Sequence, residues 1–170
     1  MKLTIPDPSL VLLIGPSGAG KSTFARTHFQ PFEIISSDAM RQLVSNDPAD
    51  QGASAEAFRV LALLITGRLK RRLLTIVDAT NLRAANRRKY RQLAARYGIP
   101  VVAIAFDLPL EKYHAHNEGR AGRVVEAEVV DWQVGLMRDA LAALPGEGYA
   151  ALHVLREGDT VEIARGDERA

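Results

Sequence analysis

The sequence has 170 residues, of which 47% are hydrophobic and 25% are charged, with a formal net charge of +2 at pH 7. This length suits one domain with a buried core, and the composition is typical of globular proteins. The chain contains no cysteine, which excludes disulfides, thiolate zinc sites and a thiol nucleophile. It also lacks a signal-peptide pattern and an apolar run long enough to span a bilayer, so we expect a cytoplasmic protein with no membrane partner.

Predicted strands and helices alternate along the chain. The continuous apolar run Leu10–Ile14 is typical of a central parallel strand that is covered on both faces. In chain order, we predict a strand at 10–14, a helix at 21–29, a strand at 34–35, a helix through Val44, a helix at 55–71, a strand at 73–78, a helix at 83–97, a strand at 101–106, helices at 111–117 and 124–144, a strand at 153–155 and an edge strand at 160–164. This order predicts an α/β fold of three layers, with a central parallel sheet flanked by helices.

A glycine-rich loop follows the first predicted strand and leads into the first predicted helix. Residues 15–22 match the pattern G-x-x-x-x-G-K-[ST] of a P-loop. Backbone amides in such a loop surround phosphate oxygens, and the helix that follows adds the positive end of its dipole. The loop therefore predicts a P-loop kinase-like fold in which ATP or another NTP is bound by Gly15, Ser17, Gly18, Ala19, Gly20, Lys21, Ser22 and Thr23.

The last three of these residues have distinct expected roles. The Lys21 ammonium is expected to reach the β- and γ-phosphates and to act in catalysis, because a mobile point charge can follow the transferring group. The Ser22 hydroxyl is expected to bind Mg²⁺ or Mn²⁺. Thr23 and the amides around it are placed for the α- and β-phosphates.

A second polar segment, 36–41, follows the short strand at 34–35. A kinase needs a carboxylate beside the attacking hydroxyl, and Asp38 is placed to accept its proton. Arg41, three residues later on the same helix face, is placed to hold a phosphate of the acceptor. Ser37 or Asp38 can cap the helix that follows. The alternative is that Asp38 only caps this helix and that Arg41 is solvated.

A third polar segment, 78–81, follows the predicted strand at 73–78. Asp78 ends that strand, where a P-loop enzyme often holds the metal through a water molecule, and the alternative is that it caps a turn. Asn81 is expected to be a turn residue. Because the carboxyl ends of parallel strands share one edge of a sheet, the segments 15–23, 36–41 and 78–81 are expected to meet there.

Basic residues are concentrated in two stretches of the chain. Such stretches are common on solvated helix faces, and they also attract polyanions such as nucleic acids, so the charge pattern alone leaves both interpretations open. The stretches are Arg68, Lys70, Arg71 and Arg72, and then Arg83, Arg87, Arg88, Lys89, Arg91 and Arg96.

Four segments together resemble a known family. In order along essentially the whole chain, they are similar to the kinase domain of bacterial polynucleotide kinase-phosphatases, which are RNA end-healing and repair enzymes. The Ser-Ser-Asp-x-x-Arg segment and the paired arginines near residue 120 are more specific than the P-loop, which many families share. The segments are GPSGAGKSTFA, ISSDAMRQLVSNDPADQ, TIVDATN and HNEGRAGR.

This resemblance implies roles for residues that the pattern alone leaves open. Asp38 would be the general base for the 5′-hydroxyl, and Arg41 would hold the phosphate next to the acceptor nucleoside. Arg120 and Arg123 would lie on a helical, arginine-bearing lid at about 111–130, where they would bind the donor phosphates and offset charge in the transition state. The whole chain, 1–170, would be one kinase domain and would precede phosphatase and ligase modules in a longer repair enzyme.

The sequence departs from the family at one position of the lid. His116 precedes Asn117, where the family usually has an arginine, so a permanent positive charge is replaced by a mostly neutral ring. His114 and His116 lack the further ligands that a metal pair would need. Trp132 and Tyr149 are candidates for base stacking, although we expect both to pack in the core.

These observations favour transfer of the NTP γ-phosphate to the 5′-OH of RNA or DNA. A small-molecule kinase for a sugar, nucleoside or antibiotic would share the P-loop and Asp38 but would have less use for Arg41. A regulatory NTP-binding module is a further alternative, against which the missing N-K-x-D and D-x-x-G motifs count.

Overall fold

The structure is a computed structural model that describes residues 1–120 and 124–167. The predicted site residue Arg123 lies outside the described residues. Within them the chain forms seven strands and six α-helices, and each predicted helix is present with bounds that differ by a few residues. In chain order they are β1 (Lys2–Asp7), β2 (Leu10–Ile14), α1 (Lys21–His28), β3 (Ile34–Ser36), α2 (Ser37–Ser45), α3 (Ser54–Lys70), β4 (Thr75–Asp78), α4 (Ala84–Arg96), β5 (Val101–Asp107), α5 (Leu110–Glu118), α6 (Ala127–Ala143), β6 (Ala151–Arg156) and β7 (Glu162–Asp167).

Five strands form one parallel sheet in the order β3-β4-β2-β5-β6. The central strand β2 lies between β4 and β5, with Leu10 opposite Thr75 on one side and Val101 on the other. The predicted α/β fold with a central parallel sheet flanked by helices is confirmed. The strand order, which the sequence does not reveal, places the P-loop at the middle of the sheet edge because that loop follows the central strand.

Both faces of the sheet are buried, as the apolar sequence of β2 requires. Alternate side chains of a strand point to opposite faces. Leu12 accordingly packs with Leu61 of α3 and Ala94 of α4, whereas Leu13 packs with Ala25 of α1 and Tyr113 of α5. The helices therefore form a layer on each side of the sheet. Among the described residues, no helix combines the length and apolar character that a membrane span requires.

The strands β1 and β7 form a separate two-stranded parallel sheet. The predicted strand near the C-terminal end is therefore present, but it pairs with β1 and does not extend the edge of the main sheet. Leu3 and Ile5 of β1 are fully buried. Arg165 of β7 donates two hydrogen bonds, of 2.9 and 2.8 Å, to the carboxylate of Glu33, which ties this small sheet to the turn before β3.

Some of the basic residues hold the scaffold together and are not solvated. Arg87 is only 1% exposed, and its Nε and Nη2 donate to Glu147 over 2.9 and 2.6 Å. Its Nη1 donates to the carbonyls of Asn81 and Leu82, and Arg91 also pairs with Glu147 at 2.8 Å. Hydrogen bonding from Arg87 lowers the pKa of Glu147 to about 2, so this carboxylate stays charged near neutral pH. These two arginines are therefore committed to Glu147.

Candidate active site

A cleft of about 960 Å³ opens at the carboxyl-terminal edge of the main sheet. The loop after β2, the start of α1, the first turns of α2, the end of β4 and the last part of α5 contribute its walls. The three segments that were expected to meet at this edge all contribute residues. The lining comprises Ser17, Gly18, Ala19, Gly20, Lys21, Ser22, Thr23, Arg26, Ser37, Asp38, Gln42, Pro48, Asp78, Ala79, Thr80, Ala115, His116, Gly119 and Arg120.

The P-loop is held in place by its own lysine and by the helix above it. The Lys21 ammonium is buried and donates to the carbonyls of Gly15 and Pro16, each over 2.8 Å. Gly18 has a φ of +81°, and a Cβ there would lie 2.2 Å from the carbonyl oxygen of Tyr113 in α5. Only glycine allows both this backbone conformation and this approach. The loop and α5 are therefore in direct backbone contact.

Two further side chains fix the P-loop from the α5 and α6 side. The amide of Ser17 donates to Oε1 of Gln133 over 2.8 Å, and Nδ1 of His116 lies 2.9 Å from the Gly18 carbonyl. Because a carbonyl only accepts, Nδ1 of His116 carries the hydrogen. His116 therefore contacts the loop at the position where the resemblance led us to expect an arginine. Gln133 has no signal in the sequence, because its role depends on how α6 packs.

The two predicted metal-binding residues lie together on the floor of the cleft. The Ser22 hydroxyl donates to Oδ2 of Asp78 over 2.7 Å, and Asp78 is buried. Hydroxyl and carboxylate oxygens are the ligands that Mg²⁺ prefers, and this ion usually keeps several waters. The described residues contain no group of three or more His, Cys, Asp or Glu suited to a metal ion. The pair therefore fits a magnesium site completed by water and phosphate oxygens.

Asn81 supports the same corner of the site as a turn residue. It has a φ of +51°, and its side-chain amide donates to the Leu13 carbonyl over 2.7 Å. The amide of Gly15 donates to the Thr80 carbonyl over 3.0 Å, which joins the start of the P-loop to the segment after β4. Gly15 itself does not line the cleft. The two bonds hold the ends of β2 and β4 in register beneath the Ser22–Asp78 pair.

The helix α2 is capped by Ser36, which corrects the expectation that Ser37 or Asp38 would cap it. The Ser36 hydroxyl accepts a hydrogen bond from the amide of Ala39 over 3.2 Å, so Ser36 is the N-cap residue and Asp38 is not needed for this role. The side chain of Asp38 is 28% exposed and lines the cleft. The alternative in which Asp38 serves only as the cap is therefore wrong.

Two arginines flank the Asp38 carboxylate. Nη1 of Arg41 lies 2.9 Å from Oδ1, and Nη2 of Arg120 lies 3.5 Å from Oδ2. Arg41 is only 7% exposed, and it is held by a bond of 3.1 Å from its Nε to Ser54 and by the ring of Phe58 at 5.6 Å. It is therefore fixed against Asp38 and does not line the cleft. Arg120, by contrast, faces the cleft at the end of α5.

The other aromatic and histidine candidates lie elsewhere. Trp132 is 54% exposed and lies under the guanidinium of Arg83 at 5.3 Å, so the expectation that it packs in the core is wrong. Tyr149 does pack against the core, and its hydroxyl donates to Glu147 over 2.8 Å. Nε2 of His114 lies 2.7 Å from the carboxylate of Asp131, so the two histidines contact different partners.

The fold and the P-loop agree with a comparison against protein families. Residues 10–144 match the model of a family described as an AAA domain. The chain belongs to this family. Its fold is that of the P-loop kinases. A search of the curated proteins finds no significant match.

Several solved structures share this fold. A chain of the Pnkp1/Rnl/Hen1 RNA repair complex has a TM-score of 0.69 at 21% identity, over 81% of this chain and 46% of that one. A chain of the AvrRxo1-ORF1:-ORF2 structure with ATP has a TM-score of 0.65 at 17% identity, over 82% of this chain and 50% of that one. A gluconokinase from Sinorhizobium meliloti 1021 has a TM-score of 0.55 at 18% identity, over 92% of this chain and 86% of that one. The chain thus spans about half the length of the first two. At these identities the likeness shows the fold.

Proposed function

We propose that this chain is a polynucleotide 5′-hydroxyl kinase that transfers the γ-phosphate of ATP or another NTP to the 5′-OH end of RNA or DNA. The observation that carries the proposal is the position of Asp38. It lies in the same cleft as the P-loop, and Arg41 and Arg120 flank its carboxylate. A carboxylate so placed can orient an attacking hydroxyl and accept its proton.

In the proposed reaction, the acceptor's 5′-oxygen forms a bond to the γ-phosphorus while the bond from that phosphorus to the β–γ bridging oxygen breaks. The hydroxyl proton passes to the Asp38 carboxylate. The nucleoside diphosphate leaves with the electron pair of the broken bond. Arg41, held by Ser54 and Phe58, keeps the carboxylate oriented toward the cleft. Catalysis then rests on positioning and on charge stabilisation, as in other phosphoryl transfers.

The donor would be held by the P-loop and the end of α5. Amides of residues 15–23 would surround the phosphates, Lys21 would contact the β- and γ-phosphates, and Arg120 would offset the charge that develops on the transferring group. We propose the same role for Arg123. Ser22, and Asp78 through water, would hold Mg²⁺ or Mn²⁺, which when bound neutralises phosphate charge.

The proposal extends to the context of the domain. The chain has 21% identity to a chain of an RNA repair complex and spans 46% of its length. Together with the Ser-Ser-Asp-x-x-Arg segment, this supports a kinase module linked to phosphatase and ligase modules in a longer repair enzyme. A kinase that contacts only the terminal hydroxyl and the backbone would act on strand ends of any sequence, because backbone contacts carry no sequence information.

An end-labelling assay tests the function. The protein is incubated with NTP labelled at the γ-phosphate, Mg²⁺ and oligonucleotides of RNA and of DNA that carry a 5′-hydroxyl. We expect label on the oligonucleotide ends, and none when the acceptor already carries a 5′-phosphate. Label that appears only on added sugars or nucleosides would support a small-molecule kinase. Slow release of free phosphate without transfer would support a regulatory NTP-binding module.

A further inference from the structure

The cleft does not end at Asp38 but continues along α1 and α2. Gln42 lies about one helical turn beyond Asp38 on the same face of α2, about 6 Å along the helix axis. Arg26 lies one turn beyond Ser22 on the same face of α1, and Pro48 follows α2. All three line the cleft. We call the part of the cleft that Arg26, Gln42 and Pro48 line the extension.

Arg26 is an available cation in this extension. Among residues 1–120 and 124–167 its side chain forms no hydrogen bond, ion pair or ring contact, and that side chain is exposed. Other cations near the cleft are already engaged. Lys21 binds the carbonyls of the P-loop, and Arg41 and Arg120 lie against Asp38. A negatively charged group that entered the extension would therefore meet Arg26 first.

We infer that the extension binds the second backbone phosphate of the acceptor strand, counted from its 5′-hydroxyl end, with Arg26 as the cation that contacts it. This inference rests on the proposed function. The terminal hydroxyl must reach Asp38, and the first phosphate then lies near Arg120, which lines the cleft beside that carboxylate. The strand would then continue along the cleft past Gln42, whose amide can donate to a phosphate or sugar oxygen.

Contact with a second phosphate gives the site a means to select polymers. An acceptor with a single phosphate leaves the extension without a ligand, whereas an acceptor with two fills it. Arginine suits this contact because its planar guanidinium can donate two parallel hydrogen bonds to a phosphate. The site would therefore distinguish a strand end from a mononucleotide by charge, without reading any base.

The test compares Arg26→Gln with wild type on acceptors of increasing length. The acceptors are a nucleoside 3′-monophosphate, a dinucleotide with a 3′-phosphate, and a longer 5′-OH oligonucleotide. For the last two we expect the acceptor KM of the variant to rise about tenfold with kcat nearly unchanged, in line with loss of one charged hydrogen bond. We expect little change for the monophosphate or in the KM for NTP. Arg26→Lys should recover part of the loss.

Salt dependence gives a second readout that a structural defect would not move. Each phosphate contact on a single strand contributes about 0.7 to the slope of log affinity against log salt, so the slope should fall by about that amount in Arg26→Gln. Arg88→Gln is the matched control, because Arg88 is an exposed arginine of α4 that does not line the cleft. Its slope should equal that of the wild type.

Several results would overturn the inference. Equal kinetics of Arg26→Gln and wild type on all acceptors would remove Arg26 from the strand path. An equal loss on the monophosphate would assign it to the first phosphate, and a raised KM for NTP would assign it to the donor. If the wild type labels no oligonucleotide at all, the proposed function fails and the inference fails with it. Labelling by the wild type with no effect of the substitution removes the inference alone.

Discussion

The two walls of the cleft are built from different parts of the chain. The wall that we propose for the donor, here called the donor wall, is formed by residues 15–23 and α5 and offers mainly backbone groups. Its loop is held by Lys21 and His116 and by Gln133 of α6. The wall that we propose for the acceptor, here called the acceptor wall, is formed by Asp38, Gln42, Pro48 and Arg26 and offers side chains. Backbone groups bind any polyphosphate tail, whereas side chains can differ between relatives. Selection of the acceptor should therefore depend on the second wall, and substitutions should separate the two.

The largest expected effect tests the acceptor wall. Asp38→Asn keeps the shape of the side chain but removes the base, so kcat for end labelling should fall about 10²- to 10⁴-fold. The KM for NTP should stay nearly constant, because the donor is held by the other wall. Steady-state kinetics of labelling measure both quantities. Asp139→Asn, a substitution on the exposed side of α6, is the control and should behave as wild type.

The outcome would also test the separation itself. Retained labelling in Asp38→Asn would remove this residue from the base role. A large rise in the KM for NTP would mean that the carboxylate also organises the donor wall. That result would break the comparison, since one side chain would then serve both substrates.

The next effect tests the packing of the donor wall. Gly18→Ala forces a Cβ against the Tyr113 carbonyl at 2.2 Å and also strains a positive φ, so we expect a loss of about 2–5 kcal/mol in the free energy of unfolding. Gly20→Ala is matched in backbone conformation, with a φ of +84°, but its Cβ meets nothing within 4 Å. It should cost only about 1–2 kcal/mol. Urea denaturation compares the two. Equal losses would show that the contact with α5 contributes nothing.

The smallest effect tests a side chain that supports the loop. His116→Ala removes the hydrogen bond to the Gly18 carbonyl, worth about 1 kcal/mol, so the KM for NTP should rise about fivefold with the acceptor KM unchanged. His114→Ala, on the same helix but paired with Asp131, should leave both unchanged. A rise in the acceptor KM for His116→Ala would instead extend the acceptor wall onto α5.

The sequence predicts the secondary structure of the donor wall well. The apolar residues of β2 and the spacing of Gly15, Gly20 and Lys21 predict a buried strand, a phosphate loop and a helix in that order, and local patterns are enough for this. The sequence does not select the cap of α2, because three consecutive residues, Ser36, Ser37 and Asp38, can all cap a helix. Only the backbone geometry selects Ser36.

Other features depend on partners far along the chain. The pairing of β1 with β7 joins Leu3 to Ile163, and no local pattern indicates such a contact. The basic stretch of α4 looks solvated in sequence because Glu147 lies about sixty residues away from Arg87. The sequence does carry a signal for Arg26, because this residue lies four positions after Ser22 and so shares the cleft-facing side of α1.

The pairing of Arg87 with Glu147 has a consequence for genetics. Arg87 supports the carbonyls of Asn81 and Leu82, and Asn81 in turn holds the strand end beneath the Ser22–Asp78 pair. A selection for inactive alleles would therefore recover changes at codon 147 together with changes at codon 38, although Glu147 does not line the cleft. Melting temperatures would distinguish the two classes, because changes at Glu147 should lower the melting temperature and changes at Asp38 should not.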